Sequence, residues 1–280
     1  MKTRVITGVV IAVLLLALCY FSATPTYFIC ITLLSAVGVY EMTRCIGVNN
    51  KLCLAIPSVI LALITGICAK YCGDLERFAV VFISCVFIYL LLLFAFSVFS
   101  KGKVPVDEAF AVFSTTLYIV MSFSSLILLR DRESGQYLIL IAIFMPLISD
   151  VFAYFCGYLF GKHKLIPDVS PKKTVEGCIG GLFFCGVVCS VFGCVVCSLN
   201  GGTPDITIAL RMFAVGLIVS AISQVGDLVA SVIKRRYGIK DYGKIFSGHG
   251  GVLDRFDSVM ATSTVILIMT LIPSLIKMVE

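Results

Sequence analysis

Residues 231–257 read SVIKRRYGIKDYGKIFSGHGGVLDRFD, and the chain is organised around this stretch. It sets Lys234, Arg235, Arg236, Lys240 and Lys244 beside Asp241, Asp254 and Asp257, with His249 among glycines. Gly226 and Asp227 stand just before it. On either side the chain is apolar in runs of about twenty residues, the length that spans a hydrocarbon core as helix. Ionisable groups at the edge of a membrane are costly to keep there, so a dense cluster of both signs reads as a working site. Cations beside carboxylates suit a phosphate substrate that arrives with a divalent metal.

Composition supports the membrane reading. Hydrophobic residues make up 60% of the chain and charged residues 14%, against roughly half and a quarter in soluble domains. Candidate spans fall at 5–22, 25–43, 53–69, 78–99, 107–129, 136–160, 178–199, 207–233 and 256–277. The expected fold is therefore all-α: a polytopic integral membrane protein with about nine transmembrane helices. The first run follows Lys2 and Arg4, lacks a small-residue cleavage site and leads straight into another span, so it reads as a retained helix. Most of the 13 cysteines sit inside apolar runs, where Cys behaves as a small hydrophobe. Cys194 and Cys197 form a CxxC, but without a second pair or a nearby His they read as packing rather than zinc ligands.

Nine spans put the termini on opposite sides. Sixteen of the 22 Lys and Arg residues then share the side of the N-terminus, which the positive-inside rule makes cytoplasmic. The excess comes from the last two loops on that side, so the orientation leans on the basic site itself. Function divides the chain near residue 135. Residues 1–135 read as N-terminal helices for scaffold and dimerisation, bare of polar constellations, and 136–280 as the catalytic region with its cytoplasmic loops. No internal repeat is visible, which argues against an inverted-repeat transporter.

Three constellations could carry chemistry. On the eighth span Ser223, Asp227, Ser231 and Lys234 recur at i, i+4, i+8 and i+11, giving one polar face that leads into Lys234 and Arg235. The plain alternative is an Asp held in a helix–helix hydrogen bond. At the start of the ninth span Asp254, Asp257 and Ser258 share a face beside Arg255. Acidic residues there could simply complement the helix dipole, which accounts for one Asp more comfortably than two. Carboxylates on two membrane-edge helices can hold magnesium that also takes phosphate oxygens. Between them, Gly248, Gly250 and Gly251 around His249 let backbone amides approach a phosphate. His249 itself reads as a donor or positioning group rather than a base. The third constellation starts with Asp150, Tyr154 and Gly157 and runs through Lys172, Lys173, Thr174, Glu176 and Gly177. Lysines at that level can be topology anchors or contacts to anionic lipid. The Thr, Glu and glycines around them suggest a tighter structure than an anchor needs.

Ser231-x-x-Lys234-Arg235, Lys240-Asp241, His249-Gly250-Gly251 and Asp254-Arg255-x-Asp257 together resemble the signature of the phosphatidate cytidylyltransferase (CDP-diacylglycerol synthase) family, bacterial type. The SPKKTVEG run from Ser170, with Asp150, Tyr154 and Gly157, resembles that family's second region. Ser247 departs from the pattern, where Pro is the more usual residue. The resemblance implies the reaction of CTP with phosphatidate to give CDP-diacylglycerol and pyrophosphate, with magnesium as cofactor and a second, monovalent ion left open. It implies metal ligation by Asp227 and Asp254, with Asp257 in support. Catalytic roles carry over to Asp227, Lys234, Arg235, Lys240, Asp241, His249, Asp254 and Arg255. Substrate contacts carry over to Lys172, Lys173, Thr174, Glu176, Ser231, Gly250 and Gly251. Its members act in the bacterial inner membrane with the site facing the cytoplasm, as homodimers among membrane lipids, with no nucleic-acid partner. CDP-alcohol phosphatidyltransferases would show a DGxxAR…GxxxDxxxD run, and this chain has none. The alternative from another class is a transporter for an anionic solute, which would place charge in both halves.

Overall fold

The computed structural model describes residues 2–246, 248 and 250–272. Ser247, His249 and the end of the ninth predicted span (273–277) lie outside the described residues. Helices α1 (Lys2–Tyr20), α2 (Pro25–Ile46), α3 (Leu52–Tyr71), α4 (Leu75–Phe99), α5 (Val106–Arg130) and α6 (Gly135–Phe160) follow one another with short connections. A hairpin of β1 (Lys164–Ile166) and β2 (Ser170–Thr174) precedes α7 (Val175–Leu199), α8 (Ile206–Arg236) and α9 (Leu253–Met269). Seven of these helices, α2 to α8, are long and apolar enough to cross a membrane. The chain is thus an all-α, multi-pass membrane protein.

Helix ends obey local chemistry. Pro25 sits at the start of α2, where its missing N–H costs nothing, and Gly47 closes that helix in the left-handed region (φ 86°). Within the spans, hydroxyls turn back on their own helix: Thr32 donates to Phe28 O (2.7 Å), Ser58 to Leu54 O (2.7 Å) and Thr65 to Leu61 O (2.9 Å). No water is at hand in hydrocarbon, so this local satisfaction is what makes such residues tolerable there.

The chain forms two compact units: residues 1–128 with 236–256, and residues 129–235 with 257–280. The segment 236–256, which sequence reading groups with the C-terminal half, thus packs with the N-terminal helices. In the first unit, Tyr89 of α4 is buried and joins Ser58 of α3 (2.7 Å) to Thr116 of α5 (3.3 Å). Tyr27 of α2 donates to Leu126 O (3.1 Å). Helices α2 and α3 approach closely at Gly66, where an added Cβ would stand 2.6 Å from Thr32 Cγ2.

In the second unit, α6 and α7 form the most extensive helix pair. Gly177 and Gly181, four residues apart on α7, bring the two backbones together. A Cβ at Gly181 would lie 2.9 Å from Ser149 O, and one at Gly177 would lie 2.5 Å from Ala153 O. Pro146 inside α6 has no N–H to give to Ala142 O, and the Thr262 hydroxyl of α9 reaches that carbonyl (3.2 Å) while shared with Ser258 O and Val259 O of its own helix (both 3.1 Å). Ser149 and Ser220 meet at 2.6 Å and tie α6 to α8. Where the sequence suggests an irregular loop over 161–177, the hairpin pairs Lys164 with Thr174 and Ile166 with Ser170 in antiparallel register. Pro171 is compatible with that arrangement because a two-stranded sheet consists only of edges.

Gly66→Ala is expected to destabilise the first unit by about 1–3 kcal/mol through overpacking against Thr32. Thermal unfolding of the purified protein in detergent measures this; an unchanged midpoint would mean that the contact relaxes without cost.

Candidate functional site

The polar groups of the second unit gather around the hairpin and α8. Thr174 caps α7 by accepting from Gly177 N (3.2 Å), which fixes where β2 ends and the helix begins. Glu176, in the first turn of α7, accepts from Lys162 N (3.1 Å) and His163 N (3.2 Å) and meets His163 Nδ1 at 2.7 Å. Both residues therefore hold the base of the hairpin. Lys173, next to the cap, forms an ion pair with Asp227 of α8. Asp150 of α6 is close enough to feel both of these charges. Asp257 feels Asp227, Asp150 and Lys234.

Gly226 explains why α9 can come this near. A Cβ there would stand 2.8 Å from Ala261 Cβ and 3.1 Å from Asp257 O, so only glycine lets the helices meet at this level. The result is three carboxylates near two ammonium groups. Two buried hydroxyl oxygens, Ser223 Oγ on α8 and Ser258 Oγ on α9, have no hydrogen-bond partner among the described residues. Lys164, Lys172 and Lys173 line a cavity of about 440 Å³ with Asp150, Tyr154 and Gln224. The Gln224 amide is anchored on Cys178 O (3.2 Å) and Ser220 Oγ (3.3 Å). Tyr154 and Tyr158 leave one side of the cavity aromatic and open. Such a space suits an anion with an apolar body.

The first unit holds the rest of the signature. Asp254 is buried, and its Oδ2 accepts from Tyr242 N (2.7 Å) and Gly251 N (2.9 Å). Glu41 of α2 is also buried and accepts from Val252 N (3.0 Å) and Leu253 N (2.9 Å), the first donors of α9. Gly243 and Gly251 lie flat against the Glu41 carboxylate. Two carboxylates thus hold the loop by four backbone N–H groups. Phe246 N donates to Gly250 O (2.9 Å), and Gly250 sits at φ 83° to make the turn.

Sequence reading treated the first half as bare of chemistry, and Glu41 corrects that. Its signal was present as a lone acid in an apolar span. It lies near the end of the span, where sequence alone does not tell it from a flanking charge. Lys240 and Asp241 are exposed on the loop, and Arg255 is exposed at the start of α9. Ser231 is partly buried on α8, and Arg235 is exposed near that helix's end. The structure brings Lys173, Asp227 and Asp257 together with Asp150, a residue outside the predicted site set. His249 lies outside the described residues. Among the described residues, no three His, Cys, Asp or Glu side chains converge closely enough to enclose a metal by themselves.

The family model described as the cytidylyltransferase family matches residues 2–272. A phosphatidate cytidylyltransferase of Bacillus subtilis (strain 168) is 33% identical over 261 residues, covering 92% of this chain and 93% of that relative. One from Staphylococcus haemolyticus (strain JCSC1435) is 32% identical over 267 residues, covering 93% and 95%. One from Staphylococcus saprophyticus is 41% identical over 171 residues, and that match spans 60% of this chain and 62% of the relative.

Glu41→Gln replaces an acceptor with a donor facing buried N–H groups, an error worth about 1–3 kcal/mol. Opening of the 240–253 loop should rise about 5–150-fold, at tenfold per 1.4 kcal/mol. Tryptic cleavage after Lys240 and Lys244 reads this opening, with cleavage after Lys101 as the internal control. Equal rates in the variant and the parent would show that Glu41 does not hold the loop.

Proposed function

The chain belongs to the cytidylyltransferase family, and from that premise we propose that it makes CDP-diacylglycerol from CTP and phosphatidate in phospholipid biosynthesis. A phosphate oxygen of phosphatidate forms a bond to the α-phosphorus of CTP. The bond from that phosphorus to the oxygen bridging to the β-phosphate breaks, and the electron pair leaves with pyrophosphate. The phosphate is already a nucleophile near neutral pH, so no strong base is required. The difficulty is to bring two anions together and to stabilise the charge that develops on the departing group.

The observation that carries the reading is the cavity of the second unit. Its three lysines offer cations to a phosphate, and its open aromatic side suits a lipid body. Lys173 is restrained by its pairing with Asp227 and by the β2 register, so its charge is held in place before substrate arrives. Lys172 and Lys164 complete the rim. Glu176 and Thr174 act by holding the hairpin that carries these lysines. Lys234 and Arg235, at the end of α8, and Lys240, Asp241 and Arg255, on the first unit, are the further charged groups of the proposed machinery. His249, Ser231, Gly250 and Gly251 keep the roles implied by the family pattern.

Magnesium belongs to the same proposal. The donor set fits a hard cation: Asp227 and Asp257 offer carboxylate oxygens, and Ser223 Oγ and Ser258 Oγ are buried oxygens in want of partners. Magnesium commonly takes one or two carboxylates and completes its shell with substrate phosphates and water, so a closed protein cage is not needed. Bound there, it would neutralise charge on the nucleotide phosphates. Asp150 would add to the negative field that draws the cation in. For Asp254 a metal role rests on the family pattern; the first unit shows a carboxylate holding its own loop. A second, monovalent ion, a homodimer, and a site facing the cytoplasm across a bacterial inner membrane complete the proposal. CTP cannot cross a bilayer, which favours that orientation.

Purified protein in detergent, given labelled CTP, phosphatidate and magnesium, should form labelled CDP-diacylglycerol and release pyrophosphate. Asp227→Asn should lower kcat by about 10²–10³-fold or more, as removing a principal electrostatic group does, while the protein remains monodisperse. A rate near that of the parent at saturating magnesium would remove Asp227 from the site. Absence of product with the parent protein would remove the assignment of substrates.

A further inference from the structure

A second cationic pocket lies in the first unit, where Arg44 of α2 meets the 239–244 loop. It has a volume of about 360 Å³ and is lined by Arg44, Lys240, Asp241 and Lys244, with Cys45 and Tyr242 behind them. Arg44 lies near enough to the buried Glu41 carboxylate for the two charges to interact, without forming an ion pair. Elsewhere Lys51 pairs with Glu108, Arg77 with Asp74 and Lys173 with Asp227. Among the described residues, Arg44, Lys240 and Lys244 have no carboxylate within ion-pair distance.

Arg44 stands in the last turn of α2, where a cation often serves the helix C-terminus. Here that task is already done. Gly47 N donates to Arg44 O (3.1 Å) and Val48 N to Thr43 O (3.0 Å), which closes the helix through the left-handed glycine. The guanidinium is exposed on the wall of the pocket. Glu41, one turn earlier on the same helix, holds the far end of the loop through Val252 and Leu253. The loop that carries Lys240 and Lys244 is therefore referenced to the helix that carries Arg44. Three cations against the single carboxylate of Asp241 leave a net positive pocket. Ile239 and Cys45 add apolar surface to a wall otherwise made by the charged side chains and the loop.

Resting on the cytidylyl-transfer reading, we propose that this pocket is an anion subsite for the phosphate chain of the nucleotide. Arg44, from a helix outside the signature, is a nucleotide-binding residue within it. The guanidinium fork matches phosphate oxygens in two directions at once, which a lysine does not.

The test uses inorganic pyrophosphate as probe, with equilibrium dialysis against the full-length purified protein. Arg44→Ala should weaken pyrophosphate binding about tenfold or more, the loss expected for a charged hydrogen-bonding group. Arg44→Lys should restore part of it, and Lys244→Ala should weaken binding in the same direction. In the transfer assay Arg44→Ala should raise KM for CTP and leave KM for phosphatidate unchanged. Unaltered pyrophosphate affinity in Arg44→Ala would overturn the subsite, as would a parent protein that binds no pyrophosphate. A rise in KM for phosphatidate alone would overturn it too, by assigning the pocket to the lipid headgroup. If Arg44→Ala weakens pyrophosphate binding while the parent transfers no cytidylyl group to phosphatidate, the subsite stands and the assignment of the lipid substrate falls. Arg44 is a surface residue, and equal elution in detergent checks that its variants stay folded.

Discussion

The carboxylate of Glu41 is buried in an apolar helix and satisfied by the N–H groups of Val252 and Leu253. The first unit's loop depends on this interaction. A carboxylate so placed has no water to fall back on, and its charge is met by backbone donors and, more weakly, by the Arg44 guanidinium one turn on. The same two donors belong to the first turn of α9, where no intrahelical partner exists for them. One pairing therefore settles two otherwise costly groups and joins parts of the chain more than two hundred residues apart. Asp254 repeats the arrangement on the other side of the turn by accepting from Tyr242 and Gly251. A glycine-rich loop that would otherwise sample many conformations is thereby held at four backbone points.

The second unit meets the same constraint by different means. Its helices approach through glycine rather than through long side chains, because in hydrocarbon close packing must do what water exclusion does elsewhere. Gly177 and Gly181 set α7 against α6, and Gly226 sets α9 against α8. The carbonyl orphaned by Pro146 receives the Thr262 hydroxyl, so the kink-prone position becomes a helix–helix contact. These approaches place Asp150, Asp227 and Asp257 within reach of one another's charge and of Lys173. Like charges kept so near demand a cation, and Lys173 supplies one from a strand whose register is fixed by pairing with β1.

The all-α membrane fold was legible because long apolar runs admit few structures, and the described helix ends fall within three residues of those expected, except the end of α9. The β1–β2 hairpin was not legible, since SPKKT carries neither alternation nor β-branched residues before Thr174. It forms because Glu176 and the Thr174 cap close its base. Residues 227 to 257 stood out as a candidate site because charge at the membrane edge is conspicuous. Their division of labour was not. Asp254 and Asp257 look equivalent in sequence, three residues apart on one helix face. In the fold the first holds its own loop, and the second joins the carboxylates of α6 and α8. Glu41 and Arg44 escaped notice because their roles are fixed by a segment that sequence separates from them by about two hundred positions, which single-chain periodicity cannot see.

Joining two anions is chiefly a problem of where positive charge is held, and lysine is a poor answer unless its freedom is removed. A free lysine loses about 2 kcal/mol of rotamer entropy when a substrate immobilises it. Lys173 has lost that freedom already through Asp227, at the expense of part of its charge. Arg44 takes the other course: its planar guanidinium makes no ion pair among the described residues and rises from the end of a helix already closed by Gly47. A paired, half-neutralised lysine would suit the proposed metal, because two full cations would repel each other there. An arginine so placed would suit the phosphate chain proposed for its pocket. The two units thus hold charge in two chemically different ways, in keeping with the proposed reaction, which joins a lipid phosphate to a nucleotide and releases pyrophosphate.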